Sequence, residues 1–190
     1  KKVLALFIIL ATQVAVAQNV STIVTCPGED ASTTMRISWA ADSKGSAIVY
    51  RPASDANWQN AKRLRPETEF RCVTFDSIYS KAADNSDIYE YPAIIKCGAS
   101  LKGLSPDTRY EYMIVDKQGS SASQVHSFVT AGAESWTCCI ISDFHAYTPL
   151  MHRQVDAMAM IDAVSRFRPF QWVLHLGDIT AWGGSFSFWQ

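Results

Sequence analysis

The chain has 190 residues, of which 48% are hydrophobic and 18% are charged. This composition is typical of a globular protein and argues against intrinsic disorder, collagen and a charge-rich coiled coil. The 17 lysine and arginine residues nearly balance the 18 acidic residues, which leaves a formal net charge of -1. Because so small a charge gives little attraction for polyanions, it disfavours nucleic acid and anionic membrane surfaces as partners.

Residues 1–17 have the pattern of a secretory signal peptide. A short basic start precedes an apolar run over residues 3–11, and Ala15 and Ala17 supply the small side chains that signal peptidase accepts. The apolar run is well below the length of about 20 residues that a transmembrane helix needs. We therefore expect cleavage after Ala17, export to the periplasm or the extracellular space, and no transmembrane anchor in the mature protein.

The five cysteines do not form a recognisable framework. Their odd number argues against a disulfide-built scaffold, although an oxidising compartment leaves one pair open among Cys26, Cys72 and Cys97. Cys138 and Cys139 lie in an apolar run and lack the two-residue spacing of a metal knuckle or redox motif. We assign those two thiols no chemistry.

The region from about residue 20 to residue 130 is predicted to consist of short β-strands. Its strand-like segments are rich in Val, Ile, Tyr, Phe and Thr, and stretches of Ser, Asp, Asn, Gly and Pro separate them. The segments are residues 35–42, 46–52, 71–75, 109–116 and 124–130. Several short strands over about a hundred residues favour a β-sandwich.

One stretch of this region, LKGLSPDTRYEYMIV (residues 101–115), resembles the E–F corner and F strand of a fibronectin type III-like sandwich. In that resemblance Tyr110 is the corner tyrosine, whose hydroxyl binds an upstream backbone group, and Trp39 is the core tryptophan of the second strand. Both residues are then structural. The resemblance implies an all-β sandwich over residues 18–132, and an oligomer formed through it stays open.

The pattern changes after residue 132 to that of an α/β unit. Residues 136–142 are continuously apolar, as expected of a strand covered on both faces. Apolar side chains then recur at helical spacing over residues 152–167, where they are interpreted as core packing, and an Arg-Pro pair ends the helix. Residues 171–176 supply a second apolar strand. The sequence therefore predicts a β-α-β unit with parallel strands.

Three ligand-type side chains follow the two strands of this unit. Asp143 and His145 end the first strand in SDFH, and Asp178 ends the second in LHLGD. Because the carboxyl ends of neighbouring parallel strands form one crevice, we expect these side chains to converge. Two carboxylates and an imidazole suit Zn, Fe or Mn. A strand-end aspartate that only caps the next helix is the alternative for each motif taken singly.

The D-x-H and G-D motifs together resemble the calcineurin-like metallophosphoesterases, whose core is a four-layer α/β/β/α domain. The resemblance implies that Asp143 and His145 hold one metal and that Asp178 bridges two metals. The family also uses G-N-H-[ED] and G-H-x-H blocks and a further histidine, which this sequence does not contain. The second metal's own ligands and the catalytic histidine are therefore expected downstream of Gln190, which makes residues 133–190 the N-terminal part of that domain.

A fibronectin-like module before such a core also resembles the purple acid phosphatases, with two departures. His145 stands where those enzymes usually have glycine, and Ala181 stands where they have a tyrosine ligand. The resemblance without that tyrosine implies that the charge-transfer colour is absent.

Three other histidines receive no metal role. Strand alternation points His175 away from a ligand at the end of its strand, and a role in supporting the ligands stays open for it. His152 begins the helix, and His126 lies in a strand of the sandwich.

These resemblances imply an exported multidomain enzyme that hydrolyses phosphate esters with two divalent or trivalent metal ions, either Zn, Fe or Mn. The chain is then an N-terminal fragment with little activity of its own, because a metallophosphoesterase core needs several times the residues that follow position 132. The alternative is a secreted fibronectin type III-like binding module with a non-catalytic remnant behind it.

Overall fold

A computed structural model describes residues 18–77, 88–132, 134–145, 152–180 and 186. The predicted signal peptide and Ala181 lie outside these residues. The elements in chain order are β1 Val20–Pro27, β2 Met35–Ala41, β3 Ala47–Pro52, β4 Lys62–Leu64, β5 Thr68–Cys72, β6 Phe75–Ser77, β7 Ile88–Glu90, β8 Ile94–Leu101, β9 Arg109–Val115, β10 His126–Val129, β11 Cys138–Ile141, α1 His152–Phe167 and β12 Trp172–His175.

Two antiparallel four-stranded sheets form the sandwich predicted for the N-terminal region. One sheet has the order β1-β2-β8-β5 and the other the order β10-β9-β3-β4. A short antiparallel pair, β6 with β7, stands apart from both sheets. The β-sandwich part of the predicted fold is thus confirmed, and most of the described residues in regular structure are β-strand.

The core of the sandwich comes from the inward faces of both sheets. Side chains alternate along β8, where every second residue from Ile95 to Leu101 is buried. Trp39 on β2 is fully buried, and its indole N–H donates a hydrogen bond of 2.9 Å to the Ser46 hydroxyl. Ile48 and Ile114 on the opposite sheet are also fully buried in the same cluster. The burial of Trp39 agrees with the structural role predicted for it.

Tyr110 forms the predicted tyrosine corner. Its hydroxyl accepts a hydrogen bond of 2.9 Å from the backbone N–H of Ser105, which lies upstream at the turn into β9. The ring is buried and stacks on Phe128 with 5.5 Å between centroids. The polar tip thereby satisfies the turn, while the apolar body fills the core.

All five cysteines are free thiols in the structure. Cys97 points into the core, where burial raises the pKa of its thiol. In the strand register, Cys26 on β1 lies opposite Arg36 on β2, which is exposed, and Arg36 lies opposite Ser100 on β8. Cys72 on β5 lies opposite Ile94, which is six residues away from Ser100 on the same strand. Six residues of strand span about 20 Å, far beyond the reach of a disulfide.

The β-α-β unit predicted after residue 132 is present with parallel strands. β11 pairs with β12 in register from Cys138 opposite Trp172 to Ile141 opposite His175. The core packing expected for the helix is not found in the described residues, where only Ile161 of α1 is buried. Exposed apolar side chains of α1 are Val155, Met158, Met160, Val164 and Phe167. No helix in the described ranges is long and apolar enough to cross a membrane.

Candidate metal centre

The carboxyl ends of β11 and β12 carry the three predicted ligands on two adjoining loops. Hydrogen bonds continue the pairing of the strands beyond their last residues. The Asp143 N–H donates to the Gly177 carbonyl at 3.2 Å, and the His145 N–H donates to the Asp178 carbonyl at 2.9 Å. Because each loop is bonded to the other through its backbone, the two loops form one structural unit.

Three of the residues in these loops adopt left-handed backbone conformations without being glycine. The φ angles are 64° for Asp143, 45° for His145 and 55° for Asp178. Aspartate and histidine tolerate this region better than most residues, but it remains uncommon for any residue other than glycine. Gly177, at φ 126°, occupies a region that is open mainly to glycine. Such clustered backbone strain is a feature of functional sites.

The three side chains converge on one point. Nε2 of His145 lies 3.5 Å from Oδ1 of Asp143 and 3.7 Å from Oδ2 of Asp178. One ligand atom from each residue lies within 4.8 Å of the other two. Ligands bound at about 2.0–2.2 Å from one metal ion stand roughly 3–3.5 Å apart, so the two distances from His145 are close to those of a bound cation.

The chemistry of the donor set also fits a metal ion. The two carboxylates bring negative charge and hard oxygen atoms, and the imidazole brings a nitrogen donor that suits Zn, Fe and Mn. Asp143 and Asp178 are each 64% exposed at the side chain, and His145 is 44% exposed. This exposure leaves free coordination directions for further protein ligands, water or a substrate oxygen.

His175 contacts both ligand-bearing loops, although strand alternation predicts that it points away from the ligand at the end of its strand. The alternation of side chains between two faces holds within the strand, but the chain turns at Gly177, beyond the end of β12. The backbone of Gly177 thereby comes close to the imidazole of His175. Nδ1 of His175 accepts a hydrogen bond of 3.1 Å from the Gly177 N–H. The imidazole also meets the ring of Phe144 nearly at right angles, with 4.7 Å between centroids. The LHLGD spacing contains this residue but does not reveal either contact.

The other two histidines, and the tryptophans of the β-α-β unit, do not belong to the three-ligand cluster found in the described ranges. His126 stacks against Tyr112 in the sandwich at 5.3 Å between ring centroids. His152 is the exposed first residue of α1. Trp136 packs on Trp172 at 4.9 Å between centroids, beside the opposite end of the strands.

A family model described as "Purple acid Phosphatase, N-terminal domain" matches residues 20–130. The chain belongs to this family. The match confirms the resemblance to the purple acid phosphatases, and it covers the sandwich that contains Trp39 and Tyr110 but not the motifs after residue 132. Comparison with curated protein sequences finds no match.

Among solved structures, the chain is similar to the purple acid phosphatase PPD1 from yellow lupin (Lupinus luteus) seeds, at 12% identity and a TM-score of 0.58. That likeness covers 86% of this chain and 30% of the lupin chain, so this chain spans under a third of the enzyme that it matches. At such identity the likeness shows the fold alone. The sensor domain of the anti-sigma factor RsgI4 from Pseudobacteroides cellulosolvens matches 63% of this chain and 93% of its own at 20% identity, with a TM-score of only 0.33.

Proposed function

We propose that this chain is the N-terminal part of an exported, metal-dependent phosphoesterase that hydrolyses phosphate esters. In this proposal residues 1–17 are a signal peptide, residues 18–132 form the sandwich, and residues 133–190 begin the metallophosphoesterase domain. The observation that carries the proposal is the convergence of Asp143, His145 and Asp178 at the ends of two parallel strands, behind a purple acid phosphatase N-terminal domain.

The three residues would act as metal ligands and not as nucleophiles. Asp143 and His145 would hold the first ion, while Asp178, with two carboxylate oxygens, would bridge the first ion to a second. The ions, Zn, Fe or Mn, would supply Lewis-acid activation of water and of the phosphate ester when bound. The chain's own contribution is to fix the direction of the carboxylates and the imidazole through the paired loops.

The remaining parts of the reaction would come from outside this chain. The resemblance assigns the second ion's other ligands, and the histidine that protonates the leaving group, to motifs that the sequence does not contain. The first 190 residues alone should therefore bind metal weakly and hydrolyse phosphate esters slowly. His145 and Ala181, at positions where purple acid phosphatases have glycine and tyrosine, favour a colourless centre of the broader metallophosphoesterase type.

The test compares the full-length protein with its Asp178→Asn variant after purification in the presence of Mn²⁺ or Zn²⁺. We expect the variant to lose metal content, measured by mass spectrometry, together with hydrolysis of a chromogenic phosphate monoester or diester. Both should fall by at least about tenfold, because a bridging carboxylate serves two ions. Asp162→Asn is the matched control: Asp162 is 59% exposed, and within the described part of the chain its carboxylate pairs with Arg166 on α1 and not with the three ligands.

Normal metal content and normal turnover in Asp178→Asn would overturn the proposal. The competing function, a secreted binding module with a non-catalytic remnant, would appear as a full-length protein that neither retains metal nor hydrolyses the esters. An equal loss of metal and turnover in Asp162→Asn would also count against the proposed phosphoesterase, because the loss in Asp178→Asn would then reflect damage to the fold.

A further inference from the structure

We propose that His175 is a positioning residue that holds the two ligand-bearing loops of the candidate metal centre in their relative orientation. The inference rests on the proposed metal site and adds a residue that touches neither the ion nor the substrate. His175 is the last residue of β12 and lies opposite Ile141, the last residue of β11. It therefore stands where both loops begin.

His175 fixes the loop that carries Asp178 through a hydrogen bond. The Gly177 N–H donates to Nδ1 of His175 at 3.1 Å, which closes a tight turn just before the ligand. Gly177 has φ 126°, a region open mainly to glycine, and the hydrogen bond selects this conformation among the many that glycine can adopt. The same glycine accepts the bond from the Asp143 N–H at 3.2 Å, so the restraint reaches the other loop.

His175 also braces the loop that carries Asp143 and His145. The residue between those two ligands, Phe144, places its ring 4.7 Å from the imidazole centroid at an interplanar angle of 88°. This perpendicular arrangement, with the edge of one ring toward the face of the other, is a favoured aromatic contact. One side chain thus contacts both loops, by a hydrogen bond on one side and by a ring contact on the other.

The hydrogen bond determines the state of the imidazole. Since Nδ1 is the acceptor, the proton of the neutral ring lies on Nε2. Nε2 is buried and has no hydrogen-bond partner among the described residues. With Nδ1 engaged by the Gly177 N–H and Nε2 buried, neither ring nitrogen is free to coordinate an ion at the centre, which favours a supporting role over direct coordination.

The experiment measures Mn²⁺ binding to the full-length protein by isothermal titration calorimetry and by the electron paramagnetic resonance spectrum of bound Mn²⁺. His175→Leu removes the acceptor and puts an apolar side chain in place of the imidazole. We expect the Mn²⁺ affinity to fall about tenfold and the spectrum of bound Mn²⁺ to change. His175→Asn retains an acceptor oxygen near the position of Nδ1 but lacks the ring, so it should recover the part of the affinity that depends on the hydrogen bond. His152→Asn, at the exposed start of α1, is the control and should leave both readouts unchanged.

Phe144→Leu tests the same brace from the opposite loop and keeps the inference testable if His175→Leu fails to fold. We expect weaker Mn²⁺ binding. The losses of binding free energy from His175→Leu and Phe144→Leu should be less than additive, because both variants remove the same ring contact. Additive losses, or a His175→Asn variant as impaired as His175→Leu, would show that the ring is only structural.

The outcomes separate this inference from the proposed function. If the unmodified chain and Asp178→Asn bind Mn²⁺ equally, the metal site itself is wrong and His175 has nothing to position. If Asp178→Asn loses binding while His175→Leu retains normal affinity and an unchanged spectrum, the metal site stands and the role of His175 is refuted.

Discussion

At the scale of single residues, the candidate ligands are held in conformations that their own backbone disfavours. Each non-glycine residue in the left-handed region costs of order 1 kcal/mol, and Asp143, His145 and Asp178 all lie there. Such a cost persists only where neighbouring bonds determine the geometry. The backbone hydrogen bonds from Asp143 to Gly177 and from His145 to Asp178 have that effect. The strained backbone conformations thereby set the direction of the ligand atoms.

Tyr110 supplies a prediction at the same scale for the sandwich. Tyr110→Phe leaves the ring in the core but removes the acceptor for the Ser105 N–H, a partly buried group. An unsatisfied buried donor costs about 1–3 kcal/mol, so we expect the free energy of unfolding in urea to fall by about 1–2 kcal/mol. Tyr50→Phe is the control, because Tyr50 is equally buried and its hydroxyl has no hydrogen-bond partner in the described chain. Equal losses in the two variants would contradict the role assigned to the corner hydroxyl.

At the scale of elements, β8 shows where sequence reasoning falls short. The strand lies in the middle of its sheet, between β2 and β5, yet its sequence IIKCGASL was not among the predicted strands. Gly98, Ala99 and Ser100 have low β-propensity, so the local signal is weak. The strand forms because it pairs on both edges and buries every second side chain, and neither partner is visible in a local window.

Paired substitutions on β8 test this alternation. Leu101 is fully buried in the core, whereas Lys96 lies on the opposite face of the same strand. We expect Leu101→Ala to lower the free energy of unfolding by about 3 kcal/mol, the ordinary cost of a cavity in a packed core. Lys96→Ala should stay within about 0.5 kcal/mol of the unmodified chain. Similar losses for the two variants, measured by urea unfolding, would mean that the strand does not present a distinct buried face.

The β-α-β unit was more accessible to prediction than β8, because its signals are local. The helical period predicts α1 over the same residues that the structure shows, and the apolar runs predict the parallel strands to within two residues at either end. The convergence of Asp143, His145 and Asp178 follows from the rule for parallel strand ends. The contacts of His175 were not predictable, since they depend on a left-handed turn beyond the strand whose geometry no residue spacing reports.

At the scale of the whole molecule, the two regions differ in how completely they bury their apolar residues. The sandwich encloses one cluster that includes Trp39, Ile48, Leu101 and Ile114. The β-α-β unit leaves Phe167 93% exposed and Leu176 65% exposed, and Ile140 on β11 is also exposed. So many exposed large apolar side chains in one small unit are unusual for a folded domain and indicate that another surface covers them.

This difference predicts that residues 18–132 form a stable domain without the rest of the chain. Apart from Ile161, the buried hydrophobic residues of the described chain lie within that range. Separating the sandwich from the β-α-β unit therefore exposes little apolar surface. We expect a protein of residues 18–132 to unfold cooperatively, with a midpoint in urea close to that of the sandwich in residues 18–190. The longer protein should bind the dye ANS strongly, because its α1, β11 and β12 surfaces are apolar and open, whereas the shorter protein should bind little. An unfolded shorter protein would show that the sandwich depends on the β-α-β unit. Equal ANS binding by the two would show that the exposed apolar surface belongs to the sandwich instead.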